Sequence, residues 1–167
     1  ENQCTCPQDC GPCEGSTGNF LSLACKVNVC VPLLKSGITI QPNTLFDDRS
    51  LGPVQLNNNY KFNNPFNVKS DKFNLDFKIY KVEKGTSGII IETIRLLEGQ
   101  QQLAELAVNK ELSETPTVIV VPAPLIASPE EDHQITLGVW YRYTQEGNEK
   151  RGNFQKSLGK ITLISPE

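Results

Sequence analysis

The chain has 167 residues, 38% of them hydrophobic and 21% charged, with a net charge of −3. That length holds one ordinary domain, or a small stapled module and one domain, and the composition excludes wholesale disorder. The mild acidity supplies no general grip on phosphate backbones or anionic lipid, and no apolar run reaches the ~20 residues of a spanning helix.

All six cysteines, Cys4, Cys6, Cys10, Cys13, Cys25 and Cys30, lie in the first 30 residues. This stretch has little apolar bulk and is punctuated by Pro7, Pro12, Gly11, Gly15 and Gly18, so burial alone cannot fold it. It needs covalent or metal staples. One zinc reading joins Cys10 and Cys13 to Cys4 and Cys6, but only three residues separate Cys6 from Cys10, against the usual dozen or so between ligand pairs. A second joins Cys10 and Cys13 to Cys25 and Cys30 and leaves Cys4 and Cys6 unexplained. The even count favours three disulfides in an oxidising compartment, with 15 connectivities open. Cys10-Gly-Pro-Cys13 lacks the strand-to-helix setting of a redox motif.

The run from Glu1 to Cys13, with Cys-Pro-Gln-Asp-Cys inside it, and the later Cys25-Lys-Val-Asn-Val-Cys30-Val resemble short cysteine-rich repeats of large secreted and cell-surface proteins, notably archaeal ones. The resemblance covers about 31 residues and implies disulfides and an exported protein. The upstream half of the repeat is missing and the chain contains no methionine, so it reads as a processed or excised piece of a longer protein.

Leu33 to Ser36 reads as a linker, dividing a cysteine-rich module (residues 1–35) from a β domain (residues 36–167). Short apolar or β-branched runs bounded by Pro, Gly or Asn predict strands at residues 37–42, 51–56, 88–97 and 117–121. The asparagine-rich residues 57–67 read as a long polar loop. Phe73, Leu75, Phe77 and Ile79 share one parity and predict a half-buried strand, after which Tyr80 and Val82 switch parity. A bulge near Ile79, or a tyrosine on the outer face, accounts for the switch. Residues 100–112 fit a helix by propensity and a strand by context, since Glu98-Gly99 can turn a hairpin with the preceding run; the context favours the strand. The clearest strand carries Ile135, Leu137, Val139, Tyr141 and Tyr143 on one face. Gln145 to Asn148 then turns into a terminal strand at residues 159–164. The expected architecture is an immunoglobulin-like antiparallel β-sandwich preceded by a small disulfide-stapled module. The order of elements resembles immunoglobulin-like domains of archaeal S-layer and adhesion-type proteins, although the Cys-Trp-Cys hallmark of antibody domains is absent.

Conventional catalytic signatures are missing: no Gly-x-Ser-x-Gly elbow, no phosphate-binding glycine loop, and a single histidine, His133. His133 follows Glu130, Glu131 and Asp132 in what reads as a charged loop. Glu130 and Asp132, with Asp47 and Asp48 in a second polar loop, are weak candidates for Ca²⁺, and no EF-hand spacing supports them. No other cofactor is expected. Trp140, Tyr141 and Arg142 are the candidate binding residues, since Trp140 and Arg142 share a face and both types favour interaction hot spots; packing under a loop is the competing role for Trp140. No Asn-x-Ser/Thr glycosylation acceptor occurs. The expected function is a non-enzymatic, extracellular or cell-surface structural and adhesive module. It would contact other surface proteins or copies of itself, up to a homopolymer, with no nucleic-acid partner and no transmembrane segment in the chain. The alternatives are a secreted carbohydrate- or peptide-binding domain and an intracellular zinc module.

Overall fold

The computed structural model describes residues 2–167. One helical turn, α1 (Pro7–Cys10), precedes a hairpin of β1 (Leu21–Lys26) and β2 (Val29–Leu34). Val27 and Asn28 turn the hairpin in the left-handed region, with φ of 51° and 60°. Leu33 and Leu34 pair with Ser22 and Leu21, so they close the hairpin and are not a linker.

The rest is the expected antiparallel sandwich. One sheet has four strands, β3 (Gln41–Ser50), β4 (Val54–Asn64), β6 (Phe73–Val82) and β9 (Thr117–Val121), in the order β3-β4-β6-β9. The other contains β5 (Phe66–Asn67), β7 (Thr86–Glu98), β8 (Gln101–Glu111), β10 (Glu130–Gln145) and β11 (Asn148–Ile164), in the order β5-β11-β10-β7-β8. All pairings are antiparallel except the short one between β5 and β11. Inner-face side chains alternate with outer ones along each strand and fill the space between sheets, with Phe66 stacked on Phe73 at 4.3 Å and Tyr60 edge-on to Phe77 at 5.9 Å.

Several sequence expectations change. Residues 57–67 are no loop: β4 runs through Asn64 as a central strand, with Leu56, Asn58, Tyr60 and Phe62 on the core side. Asn58 hid the alternation, because an amide at a core position breaks the apolar pattern; its Nδ2 donates to the Tyr60 hydroxyl at 3.1 Å. The polar segment around Asp47 and Asp48 is strand β3, and residues 37–40 lie outside the strands. Leu51 to Pro53 form a turn, closed by the Leu51 N–H donating to the Val54 carbonyl at 2.7 Å. The charged run 128–133 is largely strand, since β10 starts at Glu130.

Residues 101–111 are strand β8, with Gly99 turning the hairpin at φ 57°. The ladder offered by β7 outweighs helix propensity there. The parity switch after Ile79 is a bulge: Leu56 pairs with Ile79 and Gln55 with Lys81, which leaves Tyr80 as the extra residue, 66% exposed. No helix among the described residues is long and apolar enough to cross a membrane.

Candidate functional site

Two disulfides staple the N-terminal segment to the hairpin. Cys4 bonds Cys25 and Cys13 bonds Cys30, with Cα separations of 5.6 and 5.5 Å. Cys25 and Cys30 are direct cross-strand partners, so both staples land at one end of the hairpin. This stacking brings the sulfurs of Cys4, Cys13 and Cys25 within 4.8 Å of one another. As disulfides they are not the thiolate ligands that a zinc site requires.

The expected third disulfide does not form, and Cys6 and Cys10 carry free thiols. Cys6 is the N-cap of the single turn of α1 and Cys10 is its last residue. The Cys6 thiol donates instead to Asp9 Oδ2 at 3.2 Å.

Glu130, one of the calcium candidates, clasps the module to the sandwich. Its carboxylate accepts from the backbone N–H of Asn19 at 2.7 Å, Phe20 at 3.1 and 3.2 Å and Leu21 at 3.1 Å, and from the Thr17 hydroxyl at 3.4 Å. Consecutive amides converging on one carboxylate form an anion nest. Gly18 makes room for it: a Cβ there would lie 2.5 Å from the Glu130 carboxyl carbon. Lys35 Nζ donates to the Gly18 carbonyl at 2.7 Å, Leu21 is wholly buried, and the Glu167 N–H donates to the Pro32 carbonyl at 2.9 Å.

The other carboxylates also have partners. Asp132 accepts from the Thr162 hydroxyl at 2.6 Å and pairs with Lys160 at 3.2 Å, which together hold its carboxyl below the usual range. Asp47 is buried, held by Arg49 at 3.2 Å and by the Tyr60 hydroxyl, which donates at 3.0 Å. Burial first, and then the Asp47 charge, push the Tyr60 phenol far up. Arg49 also reaches across to the opposite sheet, donating to the Gln155 carbonyl at 3.1 Å and lying over the Phe154 ring at 4.8 Å. Asp48 lies on the outer face, at a groove beside Tyr80.

His133 sits between two carboxylates, with Nδ1 at 3.2 Å from Glu98 Oε1 and Nε2 at 3.0 Å from Glu131 Oε2. Burial opposes the charged imidazolium, but the hydrogen bonds to Glu131 and Glu98 outweigh it and raise the pKa. The His133 bond, with Ser128 and Ala127 behind it, lowers that of Glu131. The remaining oxygens are occupied, Glu98 Oε2 by the Gln134 N–H at 2.7 Å and Glu131 Oε1 by the N–H groups of Ala127 and Ser128 at 3.0 and 2.8 Å.

Trp140, Tyr141 and Arg142 do not share one surface. Trp140 lies over Gly138 and under Arg95, whose guanidinium carbon is 4.5 Å from the ring centroid. Tyr141 faces inward against Tyr143 and Phe154. Arg142 is held by Glu92 at 3.6 Å and Glu149 at 3.7 Å. Sequence reasoning missed Gly18 and the two most solvent-open aromatics of the sandwich, Phe46 and Tyr80, 75% and 66% exposed. Period-two reading of residues 41–50 would have put Phe46 opposite Leu45 and Asp47, had Asp47 not masked the inner row.

No known protein-family model and no curated protein sequence matches the chain.

Proposed function

We propose that the chain is a non-enzymatic structural and adhesive module of an exported surface protein or filament, working through protein–protein contacts. The observation that carries this reading is the edge strand β9. Its five residues are Thr-Val-Ile-Val-Val, with no charge or proline inside the strand, and Val118 and Val120 are 51% and 47% exposed on the outer face. Edge strands normally carry lysines, prolines or bulges that block further pairing. β9 is short and bracketed by Pro116 and Pro122, but the five residues between them are a template for strand addition, here by a second copy of the chain.

Two disulfides support an oxidising location, and so does the resemblance of the cysteine module to secreted archaeal repeats. The Glu130 clasp supports a role in which hairpin and sandwich act as one stiff unit. Sedimentation between about 1 µM and 1 mM tests the reading, with association expected in the range of weak strand pairing. The Val118→Lys, Val120→Lys double variant is expected to stay monomeric. A wild-type chain monomeric throughout, or a double variant that associates equally well, overturns the proposal.

A further inference from the structure

The outer faces of the two sheets differ in kind. On the five-stranded sheet the charges neutralise one another: Arg142 and Arg151 share Glu92 and Glu149 at 3.5 to 3.7 Å, and Arg95 pairs with Glu105 at 3.4 Å. On the four-stranded sheet the cross-strand rows are Thr44–Lys61–Asn74–Val120, Phe46–Asn59–Asp76–Val118 and Asp48–Asn57–Lys78. Asp76 pairs with Lys61 at 3.6 Å and Asp48 offsets Lys78, while the next row, Ser50–Gln55–Lys81, adds one lysine, so the face is close to neutral, with a net charge of +1 over the four rows.

Amides dominate what remains. Asparagine is disfavoured in strands, because its side chain competes for the backbone's hydrogen bonds, and a merely solvated face would carry threonine or lysine. Asn58 and Asn64 use their amides internally, on Tyr60 and on Lys160 and Thr162. Asn57 and Asn59 have no such partner among the described residues and present donor and acceptor together to solvent. A local rule broken with no structural compensation is the expected mark of a binding surface.

Two grooves flank these rows on the same face. One, of ≈ 520 Å³, lies against Tyr80, Gln55 and Asn57, and the other, of ≈ 440 Å³, against Lys61, Asn63 and Asn74. The eleven residues of β4 run beneath both, spanning about 36 Å at ~3.3 Å each. Phe46 and Tyr80 stand two strands and about four residues apart, on the order of 16 Å.

We propose that this face binds a neutral, linear polysaccharide laid along β4. The exposed rings of Phe46 and Tyr80 would stack on the apolar faces of sugar rings. The amides of Asn57, Asn59 and Asn63 would exchange hydrogen bonds with hydroxyls, each of which needs a donor and an acceptor. A net charge of only +1 supplies too little electrostatic attraction to favour nucleic acid or acidic glycans. A protein partner would find Phe46 and Tyr80 isolated from one another, the adjacent apolar pair Val118 and Val120 lying out at the β9 edge. The inference is independent of strand pairing at β9, since sugar binding and self-association are read separately.

The test is native affinity electrophoresis of the full chain in gels containing hydroxyethylcellulose, xylan or galactomannan. Heparin and reduced carboxymethylated α-lactalbumin serve as comparison probes. Retardation by at least one neutral polysaccharide is expected, with Phe46→Ala and Tyr80→Ala each weakening it about tenfold and Tyr80→Phe retaining it. Unchanged core amide shifts in the NMR spectra of the variants separate lost binding from lost folding. No retardation by any of the three neutral polymers overturns the proposal. So does retardation unaffected by both alanine variants, or binding only to heparin or only to the unfolded polypeptide.

Discussion

Replacing Glu130 by Gln removes the charge of the clasp and keeps its shape. In the native chain one carboxylate holds three consecutive amides and a hydroxyl, with five contacts between 2.7 and 3.4 Å. Glutamine retains one oxygen and turns an NH₂ group toward donors that cannot accept from it, so at least one amide loses its partner. A hydrogen bond to a charged group contributes about 1.5–3 kcal/mol, and bonds sharing a carboxylate do not add, so the loss is about 2–4 kcal/mol. At 1.36 kcal/mol per decade this is roughly a 30- to 900-fold rise in the local opening equilibrium. Amide hydrogen exchange followed by NMR, with disulfides intact, reads it directly at Asn19, Phe20 and Leu21. Core amides of β6 and β10 should keep their protection. Gly18→Ala should reproduce the pattern, because its Cβ would occupy the place of the carboxyl group. Unchanged exchange at Phe20 and Leu21, or equal acceleration of every amide, would refute a local clasp.

Tyr60→Phe deletes the hydroxyl between Asp47 and Asn58, leaving the buried Asn58 Nδ2 without a partner and Asp47 with Arg49 alone, which should destabilise the chain by about 1–3 kcal/mol in urea unfolding. An unshifted midpoint would mean that water replaces the hydroxyl without loss. The His133 bridge makes stability depend on pH in a definite direction. The raised His133 pKa gives stabilisation that is complete below about 6.5 and lost as pH rises through the folded value. The lowered Glu131 pKa gives stabilisation present above about 4.5 and lost as pH falls through the folded value. The stability difference between wild type and His133→Gln should therefore be largest between roughly pH 4.5 and 6.5 and shrink as pH rises further; a difference that stays the same from about pH 6 to about pH 9 would discard the bridge. Iodoacetamide on the denatured, unreduced chain should label Cys6 and Cys10 alone, and reduction should add about four mass units for two disulfides. A chain that takes no label has the third disulfide.

The fold was legible where one face is purely apolar. Phe73 to Ile79 and Ile135 to Val139 show the period of two because every inward position carries an apolar side chain. It was illegible in β3 and β4, where Asp47 and Asn58 occupy inward positions and are linked through the Tyr60 hydroxyl. Pairing of that kind is a property of three dimensions, since Asp47 and Tyr60 lie on adjacent strands. The clasp was hidden for the same reason. A glutamate in Ser-Pro-Glu-Glu-Asp reads as a solvated charge until the amides of Asn19 to Leu21 arrive from a segment more than a hundred residues away. Cys6 and Cys10 misled because an even count invites full pairing, whereas the other four cysteines pair between the N-terminal segment and the hairpin and leave these two as thiols.

Outward asparagines and inward asparagines do opposite work in β4, and the difference bears on where new contacts can form. Asn58 is committed to the interior: its Nδ2 donates to Tyr60, which donates to Asp47, which accepts from Arg49, whose Nη2 also donates to the opposite sheet. That chain ties β4 through β3 to the opposite sheet. Asn57 and Asn59, one residue to either side, are therefore carried on a rigid strand while their own amides stay unspent. Polar groups held in place by a stiff support lose little freedom on binding, so each hydrogen bond they gain contributes more nearly its full value. Loosening the interior network with Tyr60→Phe should accordingly weaken polysaccharide retention as well as stability, although Tyr60 itself never meets solvent. Retention that survives this change undiminished would place the binding groups elsewhere.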